Sequence, residues 1–152
     1  MKETDVRGCN VGIGISNTSG KVETSIDHCH LDGNFYGYSS APASPGTSRT
    51  SASNTTANGN FFYGWESGHA SGGKDVLELE FCSGSGNGTD GLIVNSLNAQ
   101  SVVRFSNCTL VNNANYGVEQ TGSESAVSRG NNSVIGNVSG AFSGTVGSFS
   151  PM

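Results

Sequence analysis

The sequence predicts an all-β domain, a right-handed parallel β-helix solenoid of about five to six rungs, each rung being one coil. Three observations lead to this prediction. The chain of 152 residues has 23 glycines and only 12% charged residues, whereas helices need Ala, Leu, Glu and Lys at a 3.6-residue period. Similar residues recur about every 26 positions. Short stretches also alternate apolar with polar residues, as strands do.

The repeat aligns into four columns of similar residues. One column is mostly cysteine, one is small and apolar, one is only asparagine and one is only glycine. In that order they are Cys29, Thr55, Cys82, Cys108 and Asn132; Leu31, Ala57, Gly84, Leu110 and Val134; Asn34, Asn60, Asn87, Asn113 and Asn137; and Gly12, Gly37, Gly64, Gly91 and Gly117. Because stacked coils lie about 4.8 Å apart, each residue type stacks on itself.

The four columns have different expected roles. The cysteine and apolar columns supply small hydrophobic side chains that pack inside the coils. Asparagine tolerates the left-handed backbone of a tight turn, and its amide can bond the asparagine of the next coil as a ladder. Glycine accepts a positive φ without a clash at Cβ, so we expect the glycine column to mark sharp corners before new strands.

The cysteine column also predicts the oxidation state of its members. Cys29 and Cys82 lie two coils apart, about 9.6 Å, which is too far for a disulfide bond. Cys82 and Cys108 are one coil apart, but a bond between stacked parallel side chains would be strained. We therefore expect all three to be buried thiols.

Strand alternation at residues 77–81 and 103–106 places two files of side chains on an outer face. The files are Ser25, Ser51, Glu78, Arg104 and Ser128, and Asp27, Ser53, Glu80, Ser106 and Gly130. Together with two nearby histidines they contain the densest ionisable cluster in the chain. We take Asp27, Glu78, Glu80 and Arg104 as the candidate catalytic residues, and His28 and His30 as candidate binding residues. The same residues are typical of a solvated, salt-paired strand face.

The columns resemble those of the right-handed parallel β-helix proteins of the pectate-lyase-like superfamily, over roughly residues 5–140. The run Ile26-Asp27-His28 is similar to a short run of pectate lyases, although Ser25 stands where that family has tryptophan. The resemblance implies a polysaccharide ligand, a secreted or cell-surface location, and Ca²⁺ as a possible cofactor held by strand carboxylates, with Arg104 as a base. The superfamily spans lyases, hydrolases, epimerases, tail spikes and proteins without a reaction, so it leaves the activity open.

A second pair of carboxylates lies in a third outward file. The file is Gly14, Ser39, Glu66, Ile93 and Glu119. Glu66 and Glu119 would lie two coils apart, about 9.6 Å, which overlaps the ~6.5–9.5 Å between the carboxyl groups of inverting glycosidases. Ile93 between them is typical of an ordinary surface strand, so we treat both glutamates as candidate binding residues.

Aromatic residues concentrate on two adjacent coils. They are Phe35, Tyr36, Tyr38, Phe61, Phe62, Tyr63 and Trp65. Tyr38 and Trp65 align with Leu92 and Val118, so we expect these two rings to be buried. Tyr36 and Tyr63 align with Asp90, and we expect them to be exposed and able to stack on sugar rings.

The charge balance narrows the class of partner. The net charge is −5 with only seven Lys and Arg, so neither nucleic acid nor an anionic membrane is expected as a partner. No apolar run reaches the ~20 residues of a membrane span, and residues 1–10 lack the apolar core of a signal peptide. The four cysteines form neither a disulfide framework nor a metal-binding spacing, so the compartment stays open.

The chain is expected to form one domain over residues 1–152, from an intact protein or a truncated stack. Phe142, Val146 and Phe149 in the segment 138–152 are expected to cap the last coil. The first coil is expected to leave Val11, Ile13 and Ile15 uncovered. We therefore expect a homodimer that closes through the N-terminal end.

The function that these residues favour is carbohydrate recognition by a β-helix module, without a demonstrated catalytic set. The alternative is a structural or assembly module, a spike or spacer that is rigid and needs neither a cleft nor exposed rings. A second alternative is a polysaccharide lyase or glycoside hydrolase that uses the cluster around Glu78. Carboxylates converging in a cleft would favour the enzyme, and exposed rings would favour the binding module.

Overall fold

A computed structural model describes residues 1–68, 72–95 and 100–148, which form a parallel β-solenoid of about five turns. Odd-numbered strands form one six-stranded sheet and even-numbered strands the other, both in chain order, and every strand pair is parallel. No helix in the described ranges is long and apolar enough to cross a membrane. The strands are β1 Val11–Ile15, β2 Lys21–Asp27, β3 Tyr36–Ser40, β4 Thr47–Ser53, β5 Trp65–Ser67, β6 Lys74–Glu80, β7 Leu92–Asn95, β8 Gln100–Ser106, β9 Tyr116–Thr121, β10 Ser125–Ser128, β11 Gly140–Ser143 and β12 Val146–Ser148.

The register across the even-numbered sheet matches the predicted files for four coils. Ser25 pairs with Ser51, Ser51 with Glu78 and Glu78 with Arg104. In the fifth coil the prediction was wrong by one residue, because Arg104 pairs with Val127 and not with Ser128. The turn between β9 and β10 is short, and it brings the next strand back into the sheet one residue earlier.

The asparagine column forms the expected ladder. The Asn60 backbone N–H donates to Asn87 Oδ1 at 2.9 Å, and Asn60 Nδ2 donates to the same oxygen at 3.1 Å. Asn87 repeats both bonds to Asn113, at 2.9 and 3.0 Å. The ladder begins at Asn34, whose Oδ1 accepts from the Cys9 N–H, and its last bonds end on Asn137. Each amide thus satisfies a buried backbone group of the neighbouring coil.

The glycine column exists, but the reason for it differs from the prediction. None of its five glycines is among the described residues that have a positive φ. A Cβ on Gly37 would instead lie 2.6 Å from the Gly64 carbonyl oxygen and 2.9 Å from Asn60 Nδ2. The same collisions recur at Gly64, with the Gly91 carbonyl and with Asn87 Nδ2. Glycine is therefore required by the close approach of the next coil and of the asparagine ladder.

The interior between the sheets holds the cysteine and apolar columns. Cys29, Cys82 and Cys108 are buried free thiols, as expected. Burial raises the pKa of Cys82 to about 12 and that of Cys108 to about 11. Gly84, the gap in the apolar column, makes room for an indole, because a Cβ there would lie 3.0 Å from Trp65 Cδ1.

A second polar cluster lies inside the coils, at the corner where the odd-numbered strands turn into the even-numbered ones. Asp75 is fully buried. Three hydroxyls donate to its carboxylate: Ser40 Oγ at 2.9 Å, Ser67 Oγ at 2.5 Å, and Ser48 Oγ. We call these four residues the serine corner. The hydroxyls compensate the loss of hydration that burial of a carboxylate would otherwise impose.

The two ends of the solenoid are built differently. At the N-terminal end, Lys2 and Asp5 form parallel bridges with the first full coil, and Ile13 is buried, so the expected exposure of this side chain was wrong. At the other end, β11 and β12 extend the two sheets in register. Phe149, predicted as part of a cap, lies outside the described residues. A third row of single-residue bridges links Asp5, His30, Thr56, Ser83, Thr109 and Ser133.

Candidate functional site

Part of the predicted ionisable cluster lies on the outer face of the even-numbered sheet, in a groove of ≈ 330 Å³ that Asp27, His28 and His30 do not line. Strands β6 and β8 form its floor, because their alternate side chains point away from the core. Glu78, Glu80 and Arg104 all line it, together with Ser51 and Arg129. We call this surface the charged groove.

Glu78 is the charged centre of this groove. Arg49 Nη2 donates to its two carboxylate oxygens at 2.9 and 3.1 Å, and Arg104 Nη1 lies 3.6 Å from Oε1. Ser51 Oγ donates at 3.3 Å. Two guanidinium groups therefore share one carboxylate, an arrangement that neutralises Glu78 and leaves excess positive charge on this side of the groove.

Asp27 and Glu80 occupy one outward file, two coils apart, with Ser53 between them. Ser53 Oγ donates to Asp27 Oδ1 at 2.7 Å, and this bond, with those from His28 and Asn54, lowers the pKa of Asp27 to about 2. Glu80 accepts from Ser106 Oγ and from Asn107 Nδ2, the latter at 2.6 Å. Each carboxylate thus accepts hydrogen bonds from donors on the neighbouring coil.

The two candidate histidines separate in space. His28 Nδ1 lies 2.9 Å from Asp27 Oδ1, at the end of the file that contains Glu80. His30 lies beyond the next turn, where its Nδ1 is 2.9 Å from Thr56 Oγ1 and 3.9 Å from Asp32 Oδ2. The cluster expected from the sequence therefore divides, and His30 belongs with Asp32.

The spacing of the acidic side chains in and beside the groove determines whether they could bind calcium together. Among the described residues, no three or more His, Cys, Asp or Glu side chains form a group that could hold a metal ion. Asp27 and Glu80 lie about 9.6 Å apart by their coil spacing, and Ser53 fills the position between them. Each of these carboxylates can bind a cationic or hydroxylic group on its own. Ca²⁺, in contrast, takes six to eight oxygen ligands.

The second region of interest is a cluster of rings just before β3 and β5, which we call the aromatic flank. Successive rings touch, with centroid distances of 5.2 Å for Phe35 and Phe61, 5.2 Å for Tyr36 and Phe62, and 4.8 Å for Phe61 and Phe62. Its members are Phe35, Tyr36, Phe61, Phe62 and Tyr63. Phe35 is 48% and Phe61 is 64% exposed. A cleft of ≈ 330 Å³ lies beside these two rings.

The two buried rings are those that the alignment predicts, whereas the two tyrosines expected to be exposed are only partly so. Tyr38 and Trp65 are fully buried, and their centroids are 5.8 Å apart. Tyr36 and Tyr63 are half-buried, with centroids 5.9 Å apart. Tyr36 and Tyr38, like Tyr63 and Trp65, lie two residues apart on either side of a column glycine, so strand alternation alone would place each pair on one face and does not account for their different burial.

A group of carboxyls lies against the flank at Tyr63. Asp90 is 1% exposed, its Oδ1 accepts the Tyr116 N–H at 2.8 Å, and its side chain hydrogen-bonds the Glu119 carboxyl. Burial, then the negative charge of Glu119, raises the pKa of Asp90 to about 6. Burial also raises the pKa of Tyr63, and Glu66, Asp90 and Glu119 add to that shift.

Glu66 and Glu119 occupy the predicted file, with Ile93 between them. Glu66 is buried, however, and its Oε2 accepts from Ser39 Oγ at 2.7 Å. Glu119 is half-buried. The nearer carboxyl pair is Asp90 with Glu119, on adjacent coils, and a pair in direct hydrogen-bond contact can share one proton.

Three contributors were missed by the sequence analysis. Arg49 precedes Ser51 by two residues, so strand alternation alone would have added it to the charged groove. Asp90 interrupts an otherwise aromatic file of Tyr36, Tyr63 and Tyr116, and that interruption was a usable signal. No signal in the sequence indicated that Phe61 is exposed, because turn residues do not follow strand alternation.

Comparison with known proteins identifies no relative. No protein-family model, curated protein or solved structure matches the chain. The functional assignment therefore depends on the two surfaces and their chemistry.

Proposed function

We propose that the chain is a carbohydrate-recognising β-solenoid module that binds its ligand on the aromatic flank. The observation that carries the proposal is the contiguous set of touching rings, with Phe35 and Phe61 largely exposed beside a cleft. The apolar faces of pyranose rings pack on aromatic faces, and polar groups beside the rings fix orientation. Tyr36 and Tyr63 supply hydroxyls at the inner edge of the flank.

The charge of the flank indicates the class of sugar. Glu66, Asp90 and Glu119 surround Tyr63 with carboxyl groups. Their negative charge disfavours uronic acids, and Glu119, the half-buried member of the three, can accept hydrogen bonds from neutral hydroxyls or from ammonium groups. A neutral or amino-substituted polysaccharide is therefore the proposed ligand of this flank.

The test is a binding screen by isothermal titration calorimetry against neutral, amino-substituted and acidic polysaccharides. We expect Phe61→Ala to weaken binding about two- to thirteenfold, the range that corresponds to one aromatic contact of ~0.5–1.5 kcal/mol. Phe142→Ala is the matched control, because Phe142 is also exposed (47%) but lies on the last coil. Equal losses in the two variants, or binding of acidic chains only, would contradict the proposal.

An assembly module is the second proposed function, and a different observation favours it. Ile135, Val138 and Phe142 are 68%, 80% and 47% exposed on the last coil. Ile135 and Phe142 also line an open cavity of ≈ 900 Å³. Apolar side chains concentrated at one end are typical of a contact surface. Sedimentation velocity tests this proposal. If the protein self-associates and Val138→Lys converts it to a monomer, the contact surface is at the C-terminal end. If Val11→Lys abolishes the self-association instead, the result supports the dimer expected at the N-terminal end.

Polysaccharide cleavage in the charged groove is the third proposal. Its residues are Asp27, Glu78, Glu80 and Arg104, with Ca²⁺ as an added cation. The tight pairing of each carboxylate with its neighbours favours it least, because a base or nucleophile must be released to react. Assays for new reducing ends and for unsaturated products, with and without Ca²⁺, test it, and activity that Arg104→Lys leaves intact would exclude the proposed base.

A further inference from the structure

The serine corner belongs to a longer file of inward-facing polar residues. Ser48 on β4, Asp75 on β6 and Ser101 on β8 occupy one register position. Ser125 pairs with Val102, so the residue before it, Glu124, continues the file opposite Ser101. All four side chains are buried, Ser101 at 2% and Glu124 at 8% exposure. We call Ser48, Asp75, Ser101 and Glu124 the acid file.

The two carboxylates of this file differ in their surroundings. Asp75 accepts three serine hydroxyls, whereas among the described residues neither oxygen of Glu124 has a hydrogen-bond donor and Ser101 Oγ has no partner. The cause is visible in the opposing file of the other sheet. Ser40 and Ser67 are followed there by Val94, which has no hydroxyl to offer, and then by Gln120, whose Nε2 donates to the Gly122 carbonyl oxygen at 2.8 Å. Two coils beyond Asp75, a carboxylate is therefore buried without the donors that such a group requires.

We propose that Glu124 and Ser101 bind a hard, oxygen-preferring cation, of the Ca²⁺ or Na⁺ type, inside the corner between β9 and β10. The two residues lie on adjacent coils, about 4.8 Å apart, so one ion can contact both. Gln120 lies in the same coil as Glu124, and among the described residues its Oε1 accepts the Thr145 N–H, at 2.9 Å, so that one lone pair remains for a metal. Carboxylate, hydroxyl and amide oxygens are the ligands that such ions prefer.

The surroundings of Glu124 suit a cation from solution. A cavity of ≈ 340 Å³ reaches this corner from outside and is lined by Gln120, Ser123, Glu124 and Thr145 among others. The described residues that line it include no Lys, Arg or His. The described lining therefore offers the buried carboxylate no cationic side chain as a partner.

The test uses the full chain, stripped with a chelator and titrated with CaCl₂, MgCl₂, NaCl or tetramethylammonium chloride at constant ionic strength. We expect Ca²⁺ or Na⁺ to raise Tm by roughly 5–10 °C at about a hundredfold excess over Kd, and tetramethylammonium to leave it unchanged. Glu124→Gln should abolish the rise. Glu23→Gln, an exposed glutamate on the first coil paired with Lys21, should retain it. Metal analysis after dialysis should find one ion per chain for Ca²⁺.

Three results would overturn the proposal. The first is a Tm that no cation shifts. The second is a rise that persists in Glu124→Gln, and the third is a rise that Glu80→Gln abolishes, which would assign the ion to the charged groove. Ser101→Ala covers the case in which Glu124→Gln does not fold. It removes one neutral ligand, so we expect weaker cation affinity in a folded protein, and an unchanged affinity would also count against the site.

Discussion

The asparagine ladder and the acid file are both polar, buried and inside the coils, but only the ladder repeats. In the ladder each amide bonds the same atoms of the next coil at 2.9–3.1 Å from Asn60 to Asn113. In the acid file Asp75 has three donors and Glu124, among the described residues, has none. A periodic polar column is thus self-sufficient, because every coil presents the partner that its neighbour needs. In an aperiodic polar column, whether each group finds a hydrogen-bond partner depends on the residue that lies opposite it in the other sheet.

The largest expected loss of stability is at Asp75. If that loss were absent, the contrast between the asparagine ladder and the acid file would not hold. Asp75→Ala removes the carboxylate that accepts three buried hydroxyls and leaves only the Ser40–Ser48 bond among them, so we expect a loss of about 3 kcal/mol in the free energy of unfolding. Urea denaturation followed by circular dichroism measures it. Ser101→Ala in cation-free buffer is the control in the same file, and it should be neutral or slightly stabilising because its hydroxyl has no partner. A larger loss at Ser101 than at Asp75 would reverse the assignment of donors.

The ladder should show a smaller, well-defined cost. Asn87→Ala removes the acceptor for two bonds from Asn60 and the side-chain donor to Asn113. We expect about 1–2 kcal/mol of destabilisation by the same urea measurement. Asn10→Ala, at an exposed asparagine outside the column, should change stability by less than about 0.5 kcal/mol. Indistinguishable values for the two variants would mean that the column is accidental.

A third way to satisfy a buried carboxyl occurs outside the core, at Asp90, where the partners are a backbone amide and the Glu119 carboxyl. Its folded pKa of about 6 exceeds the ordinary 3.8, so the folded state binds more protons between these values. The stabilisation is complete below pH 3.8 and is lost as the pH rises through 6. We expect it to be about 1 kcal/mol or less, because Glu119 is partly exposed and shares the proton.

The measurement for Asp90 is the free energy of unfolding between pH 4 and pH 7. The wild-type protein should lose stability over this interval relative to Asp90→Asn, which keeps the acceptor for the Tyr116 N–H but does not titrate. Parallel curves for the two proteins would show that Asp90 does not hold the proton.

The smallest expected effect concerns the thiol column, another periodic feature of the interior. Burial and the raised pKa values of Cys82 and Cys108 should prevent reaction with a disulfide reagent at pH 8. Exposed Cys9 should react at once. Titration should therefore give one fast thiol in the native protein and four after denaturation. Fast reaction of two or more native thiols would contradict the stacked column.

The sequence determined those features that depend on neighbours one coil apart. A parallel stack in fixed register makes positions about 26 residues apart adjacent, so the asparagine ladder, the thiol column and the contact between Glu78 and Arg104 could be predicted from the repeat alone. The same rule separated buried Tyr38 and Trp65 from half-buried Tyr36 and Tyr63.

Only the tertiary structure decided the contacts that cross a coil or run diagonally between coils. Whether Ser67 meets Asp75, or Val94 leaves Ser101 without a partner, depends on how each corner closes, and the corners differ in length. The steric role of the glycine column required the position of the next coil's carbonyl oxygens. The pairing of Asp90 with Glu119 joins residues from different files. The period fixes which residues stack, whereas the path of each turn fixes which residues face each other across the interior.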